Sequence, residues 1–209
     1  MSEKHYAMAI DVTRCIGCST CAMACKVENN LPQGIWWNRV ITDGGEENDA
    51  PAGEYPSLKM NQYTVSCQHC ENPACAKVCP VGATYKDEQT GVVIQDSDKC
   101  IGCRMCMTAC PYTGVRSFNW DEPVYALDYA IGDVDAPSHQ KHTVEKCTFC
   151  RHRLEKGLLP ACVDVCPGRA RIFGDLNDPD SEISKALKTR NYKQLLDDRG
   201  TNPSLFYLL

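Results

Sequence analysis

Sixteen of the 209 residues are cysteine, and they fall into four groups of four with none left over. Cys15, Cys18, Cys21 and Cys25 are spaced C-x2-C-x2-C-x3-C, and Cys100, Cys103, Cys106 and Cys110 repeat that spacing. Cys67, Cys70, Cys75 and Cys79 follow C-x2-C-x4-C-x3-C, while Cys147, Cys150, Cys162 and Cys166 follow C-x2-C-x11-C-x3-C. Pro80, Pro111 and Pro167 come directly after the last cysteine of three groups. Disulfide frameworks belong to secreted chains of under about 100 residues with a signal peptide. Here Met1 to Tyr6 is polar and carries neither an apolar signal core nor a twin-arginine pair. Structural zinc asks for paired knuckles, or histidines, around one tetrahedron. Three thiolates inside a seven-residue loop suit a [4Fe–4S] cubane instead, and the fourth cysteine follows the bacterial ferredoxin pattern, where it serves the other cluster of a pair. Four groups predict four [4Fe–4S] clusters.

The elements that must hold these thiols are duplicated. Cys15-Ile16-Gly17-Cys18 with Ala24-Cys25 matches Cys100-Ile101-Gly102-Cys103 with Ala109-Cys110, and Pro73-Ala74-Cys75 with Val78-Cys79-Pro80 matches Pro160-Ala161-Cys162 with Val165-Cys166-Pro167. The order is A-B-A′-B′, a two-group unit doubled. Gly17 and Gly102 stand where the loops must curl, with positive φ expected. Groups two and three are only twenty residues apart, and Thr84–Lys86 with Gly91–Ile94 reads as a hairpin around Asp87–Thr90. The expected fold is α+β, two nested bacterial-ferredoxin-like units with loop-rich insertions. Residues 59–111 form the inner half, and residues 1–58 plus 112–209 the outer half with the C-terminal tail. Under that nesting one inner cluster takes Cys67, Cys70, Cys75 and Cys110, and the other Cys100, Cys103, Cys106 and Cys79. The outer clusters take Cys15, Cys18, Cys21 and Cys166, and Cys147, Cys150, Cys162 and Cys25.

The chain has four Phe and three Trp, a modest supply for a conventional core, so metal binding is expected to carry part of the folding. Trp36 and Trp37 suit either local packing or a partner surface, with packing favoured, and residues 43–49 read as a polar loop. Tyr125, Leu127 and Tyr129 alternate as in a strand, Glu182–Arg190 reads as a helix capped by Ser181, and the apolar tail Pro203–Leu209 must dock on this chain or on a partner. Arg14, Lys99 and Lys146 precede the first cysteine of three groups, and Lys26 follows Cys25. They are candidates for stabilising anionic clusters, or plain solvated charges. His69 lies inside group two, either beside its cluster or facing solvent.

No catalytic site is legible. The five histidines form no metal-binding helix pair, no phosphate loop or dinucleotide fingerprint is present, and every thiol is already committed. A net charge of -5 without a basic stripe speaks against nucleic acid, and no apolar run approaches the ~20 residues of a membrane span. What remains is one-electron transfer by a chain that is not itself an enzyme.

These groups, including the x11 gap, resemble the four-cluster iron–sulfur subunits of the molybdopterin oxidoreductase superfamily, those of dimethyl sulfoxide, polysulfide, thiosulfate and tetrathionate reductases. Gly200, Thr201, Pro203, Ser204 and Tyr207 also look like that family's C-terminal segment. In related nitrate reductase subunits a Trp replaces one group-three cysteine, at the place held here by Cys103. The resemblance implies the nested ligand pairing given above. It also implies an electron-transport role in anaerobic respiration, with a large catalytic partner holding bis-molybdopterin guanine dinucleotide with molybdenum or tungsten, and in many relatives a membrane quinol-handling subunit. Members can be exported on a partner's twin-arginine signal, so the chain's own N-terminus sets no compartment. A free polyferredoxin, or an electron-transfer subunit of a hydrogenase or formate dehydrogenase, is the alternative.

Overall fold

The computed structural model describes residues 4–43 and 49–209, so most of the 43–49 loop lies outside the described residues. In chain order the elements are β1 (Tyr6–Asp11), α1 (Thr20–Glu28), β2 (Asn38–Asp43), β3 (Asn61–Ser66), α2 (Ala74–Lys77), β4 (Thr84–Lys86), β5 (Val93–Gln95) and α3 (Met105–Thr108). There follow β6 (Arg116–Phe118), β7 (Val144–Lys146), α4 (Arg151–Glu155), α5 (Ala161–Asp164), β8 (Arg171–Asp175), α6 (Glu182–Thr189), β9 (Tyr192–Lys193) and β10 (Leu205–Leu208). It is a mixed helix and strand protein. Helices of four residues such as α2, α3 and α5 are too short to persist alone and depend on what they pack against.

The largest sheet runs β8-β1-β10-β9 and joins the two ends of the chain. β10 lies parallel to β1, pairing Met8 with Leu205 and Ile10 with Tyr207, and β8 flanks β1 antiparallel. The period of two sorts the side chains. Met8, Ile10, Leu205 and Tyr207 face a core shared with Cys21, Phe149, Cys162 and Phe173, whereas Ala7, Ala9, Phe206 and Leu208 face Ile183 on α6. Because both faces are covered, β1 and β10 read as unbroken apolar runs. The apolar tail therefore docks on this chain, and α6 starts as expected, with Ser181 Oγ accepting from Ser184 N at 3.2 Å.

Three antiparallel ribbons complete the fold: β2–β3, the expected hairpin β4–β5, and β6–β7. The strand expected around Tyr125–Tyr129 does not form. That segment is irregular, with Tyr129 64 % exposed, because no neighbouring strand offers it a ladder. Its Tyr125 ring lies 6.4 Å from that of His139, whose Nδ1 lies 2.8 Å from Glu145 Oε1 and whose Nε2 lies 2.8 Å from the Asn29 carbonyl. Glu145, buried, also accepts from Trp37 Nε1 and Asn119 Nδ2. Trp37 is thus core, and Trp36 lies under the Lys26 ammonium at 4.6 Å.

Asp11 ends β1 and shapes the run into the first cysteine. Its Oδ1 accepts from Thr13 N and Oγ1, its carbonyl accepts from Cys15 N, and its Oδ2 accepts from Arg190. The Arg190 guanidinium holds the Asp11 carboxyl down at about 2, from an ordinary 3.8. A carboxyl lowered on folding adds stability that is present above the unfolded value and lost as the pH falls through the folded one. Asp11→Asn is expected to cost about 2 kcal/mol at pH 7, with the deficit narrowing as the pH falls from about 4 toward 2. A double-mutant cycle with Arg190→Gln, read from anaerobic unfolding midpoints of the iron-loaded protein at pH 7, checks it; additive losses would rule out the charged pair.

Candidate metal centre

Each cysteine group is a loop followed by a short helix. In all four the residue before the second cysteine adopts a left-handed conformation: Gly17 (φ 67°), His69 (φ 43°), Gly102 (φ 70°) and Phe149 (φ 55°). The expected positive φ at the two glycines is observed. At Gly102 there is a second reason for glycine, since a Cβ would stand 2.4 Å from the His142 carbonyl oxygen. Asp96 repeats the role of Asp11 four residues before the first cysteine of its group, its Oδ1 accepting from Asp98 N at 3.0 Å. The shared D-x-x-[RK]-C pattern was there to be read, but only the hydrogen bonds give it meaning.

In space the thiols sort into four quartets, each with three members from one loop and one from another. Cys15, Cys18, Cys21 and Cys166 line one pocket with Ile16 and Pro167. Cys79, Cys100, Cys103 and Cys106 line a second. Cys25 faces Cys147, Cys150 and Cys162, and Cys70 faces Cys67, Cys75 and Cys110. The helices follow the same logic, α1 packing on α5 as α2 packs on α3. Cys21 neighbours Cys162, Cys147 neighbours Cys67, and Cys106 neighbours Cys75, so the quartets stand in a row. Only Cys18 and Cys103, in the terminal quartets, are exposed.

Burial and mutual repulsion push the inner thiols up: Cys70 to about 12 by burial and then Cys67, Cys150 to about 12 by burial and then Cys162, Cys25 well above its ordinary range. At Cys79 burial is outweighed by the amides of Thr84, Val81, Ala83 and Gly82, which hold the thiol down. Thr84 N lies 3.4 Å from Cys79 Sγ, and Ala170 N does the same at Cys166 Sγ at 3.3 Å. The C-terminal segment reaches the site as well, with Thr201 Oγ1 2.7 Å from Tyr112 Oη and its hydroxyl at Cys70. All sixteen cysteines are free of disulfides, and Arg116 Nη2, buried among thiols, meets no oxygen or nitrogen acceptor. A donor set of sulfur quartets with buried cations beside them fits anionic iron–sulfur clusters.

Of the flanking cations, Lys146 is buried with Nζ donating to the carbonyls of Val93 and Cys147, and Lys26 donates to those of Pro32 and Ile35. Lys99 points outward and pairs with Asp96 at 3.0 Å, and Arg14 is exposed. His69 does not face solvent. It is fully buried and stacks on Phe149 with ring centroids 3.7 Å apart, joining the loops of groups two and four. Burial, with Lys146 and Arg116 nearby, keeps its ring neutral. Sequence reasoning passed over Phe149, Arg116 and Arg171, which touch the quartets only through long-range packing.

Residues 58–126 and 119–176 match the family described as 4Fe-4S dicluster domain. The chain is 52% identical to a putative dimethyl sulfoxide reductase iron-sulfur subunit of Halobacterium salinarum, over 98% of this chain and 79% of that one. It is 40% identical to the arsenate respiratory reductase iron-sulfur subunit ArrB of a Shewanella species, over 96% and 94%, and 40% identical to a tetrathionate reductase subunit of Salmonella typhimurium, over 99% and 74%.

The His69–Phe149 stack holds two left-handed, bulky residues whose backbones would relax without it. Phe149→Ala should lower stability by about 3 kcal/mol or more, a buried aromatic replaced by a cavity, read as a fall in the anaerobic unfolding midpoint. A loss below about 1 kcal/mol would mean that the stack does not tie these loops together.

Proposed function

The chain belongs to the 4Fe-4S dicluster family of reductase iron–sulfur subunits, and we propose that it relays single electrons through four [4Fe–4S] clusters to or from a molybdopterin-containing catalytic subunit. It is an electron-transfer subunit, not the catalytic one. The observation that carries the reading is the row of four sulfur quartets, each filled from two loops.

Cys15, Cys18, Cys21 and Cys166 would hold the first cluster of the row, and Cys25, Cys147, Cys150 and Cys162 the second. Cys67, Cys70, Cys75 and Cys110 would hold the third, and Cys79, Cys100, Cys103 and Cys106 the fourth. Bound clusters supply reversible one-electron redox chemistry. The polypeptide spaces the quartets, keeps water from the middle two and leaves a thiol exposed at each end, Cys18 and Cys103. The Thr84 amide, with its neighbours, stabilises the thiolate state of Cys79, and Ala170 N donates to Cys166 Sγ.

The nested plan of two ferredoxin-like halves belongs to the same proposal. It is supported by β1, β8 and β10 joining both chain ends in one sheet, and by the α1–α5 and α2–α3 pairs. The β6–β7 ribbon is shared between the halves: Val144 packs with Cys75, Val93 and Cys106, while Lys146 leads directly into Cys147. Such a subunit needs a lasting partner surface. Trp37 and Leu205–Leu208 of the tail are packed inside, but Trp120, Val124, Tyr129 and Val134 are exposed and suit a stable complex better than a diffusing polyferredoxin. No helix among the described residues is long and apolar enough to cross a membrane.

Anaerobic purification of the native complex should yield a large pterin-binding chain with molybdenum or tungsten, and at least about sixteen iron atoms per copy of this one. Iron alone, in a chain that keeps no partner under gentle isolation, would favour the polyferredoxin. Cys103→Ser should lose or convert one cluster, dropping the iron count by about one to four while the chain still folds. An unchanged iron count and spectrum would overturn the ligand sets.

A further inference from the structure

Two guanidinium groups lie inside the protein without a carboxylate beside them. Arg116 on β6 is 5 % exposed and Arg171 on β8 is 6 % exposed. Neither takes part in any of the ion pairs among the described residues. A buried cation with no anionic partner is strongly disfavoured, so the partner must be something else, and in both cases it is sulfur. Arg171 Nη1 donates to Cys162 Sγ at 3.3 Å and lies 3.2 Å from Met8 Sδ, while Nη2 donates to Asn38 Oδ1 at 3.0 Å. The other thiols facing Arg171 are Cys21 and Cys147. Arg116 Nη1 donates to Gln95 Oε1 at 3.2 Å, no oxygen or nitrogen acceptor meets Nη2, and the thiols facing the guanidinium are those of Cys75, Cys67 and Cys106.

The placement is the same in both halves. Cys21 belongs to the first quartet of the row and Cys162 and Cys147 to the second, so Arg171 stands at the seam between them. Cys67 and Cys75 belong to the third quartet and Cys106 to the fourth, so Arg116 stands at the other seam. Each arginine follows the last cysteine of a group by five or six residues (Cys166 to Arg171, Cys110 to Arg116).

We propose that Arg171 and Arg116 are potential-setting residues shared between neighbours: each raises the reduction potentials of the two clusters that flank it and of no others. The inference rests on the four-cluster reading above. Reduction adds one electron to a site that is already anionic, so a fixed positive charge at the seam favours the reduced form on both sides. The Coulomb energy falls with distance, which confines each guanidinium to its own pair. Matching cations at the two seams would lift both potentials of a pair together.

The test neutralises each guanidinium in place. Asn38→Asp sets a carboxylate where Arg171 Nη2 now donates to an amide oxygen, and Gln95→Glu does the same at Arg116. Both swaps are near-isosteric, and a carboxylate against an arginine stays ionised. Midpoint potentials of all four clusters are measured by redox titration followed by electron paramagnetic resonance, on the purified complex, for the parent and each variant. Two midpoints should fall in Asn38→Asp and the other two in Gln95→Glu, a complementary pattern that needs no prior assignment of signals. Unmoved midpoints with the iron count intact, the same clusters moving in both variants, or all four drifting together would each overturn the proposal.

Should a carboxylate variant fail to load iron, Arg171→Gln and Arg116→Gln carry the same comparison, and Arg171→Lys and Arg116→Lys, which keep the charge, should load and leave the midpoints near the parent values. A Lys variant as empty as the Gln variant assigns that arginine to packing alone and overturns the proposal. Fewer than sixteen iron atoms per chain in the parent would strike at the four-cluster reading instead, and is known before any midpoint is compared.

Discussion

Sulfur that must become anionic inside a protein governs this fold. Eight of the sixteen cysteines are buried, and burial together with the neighbouring thiols pushes several of them far from ionisation. A conventional core has little to set against that, because the aliphatic and aromatic residues are few and thiols sit within their clusters: Cys21 and Cys162 beside Met8 and Phe173, Cys75 and Cys106 beside Val93 and Val144. The interior is therefore sulfur-centred, and a buried metal is the component that reconciles thiolate charge with a dry environment. Short helices, irregular connections and a sheet that clasps both ends of the chain all follow from packing around quartets.

The same constraint explains the backbone. Curling a loop around a cluster-sized site turns the residue before the second cysteine left-handed in every group, and the chain meets that demand in two ways. Where the loop approaches the surface, glycine takes the position, and at Gly102 the His142 carbonyl leaves room for nothing else. Where two loops meet inside, the position carries His69 and Phe149, bulky residues in a disfavoured conformation held by stacking on each other. Strain is tolerated where contacts over-determine it.

What could be read from the sequence divides along that line. Spacing made the cysteine groups, the A-B-A′-B′ repeat, the β4–β5 hairpin, the Ser181 cap and the turn glycines legible, because each is a local pattern with a local cause. The burial of His69, the core position of Trp37 and the thiol contacts of Arg116 and Arg171 depend on segments up to roughly a hundred residues away or more, such as Trp37 with Glu145 or Arg171 with Asn38 and Met8. Charge adjacent to a cysteine in sequence was a poor guide: Lys99 turns to Asp96 and Arg14 to solvent, while the buried guanidiniums stand five and six residues beyond the last cysteine of a group. The alternation at Tyr125–Tyr129 misled for the converse reason, since a strand pattern forms a strand only where a partner edge waits for it.

The doubled sequence also gives the row its polarity of exposure. Both A-type loops, C-I-G-C in each, end at the surface with Ile16 and Ile101 exposed and with the two solvent-exposed thiols. Both B-type loops turn inward and meet through the His69–Phe149 stack, where Cys67 comes beside Cys147. A unit with one outward and one inward loop, when doubled and joined through its inward loops, has to place its exposed sites at opposite ends of the series and its buried sites in the middle. Under the nested plan proposed above, doubling a two-site module gives a chain of four with two accessible termini. The irregular segment around Tyr125–His139 and the C-terminal segment then serve to close the flanks, His139 anchoring the first to Asn29 and Glu145, and Thr201 bringing the second onto Tyr112 beside Cys70.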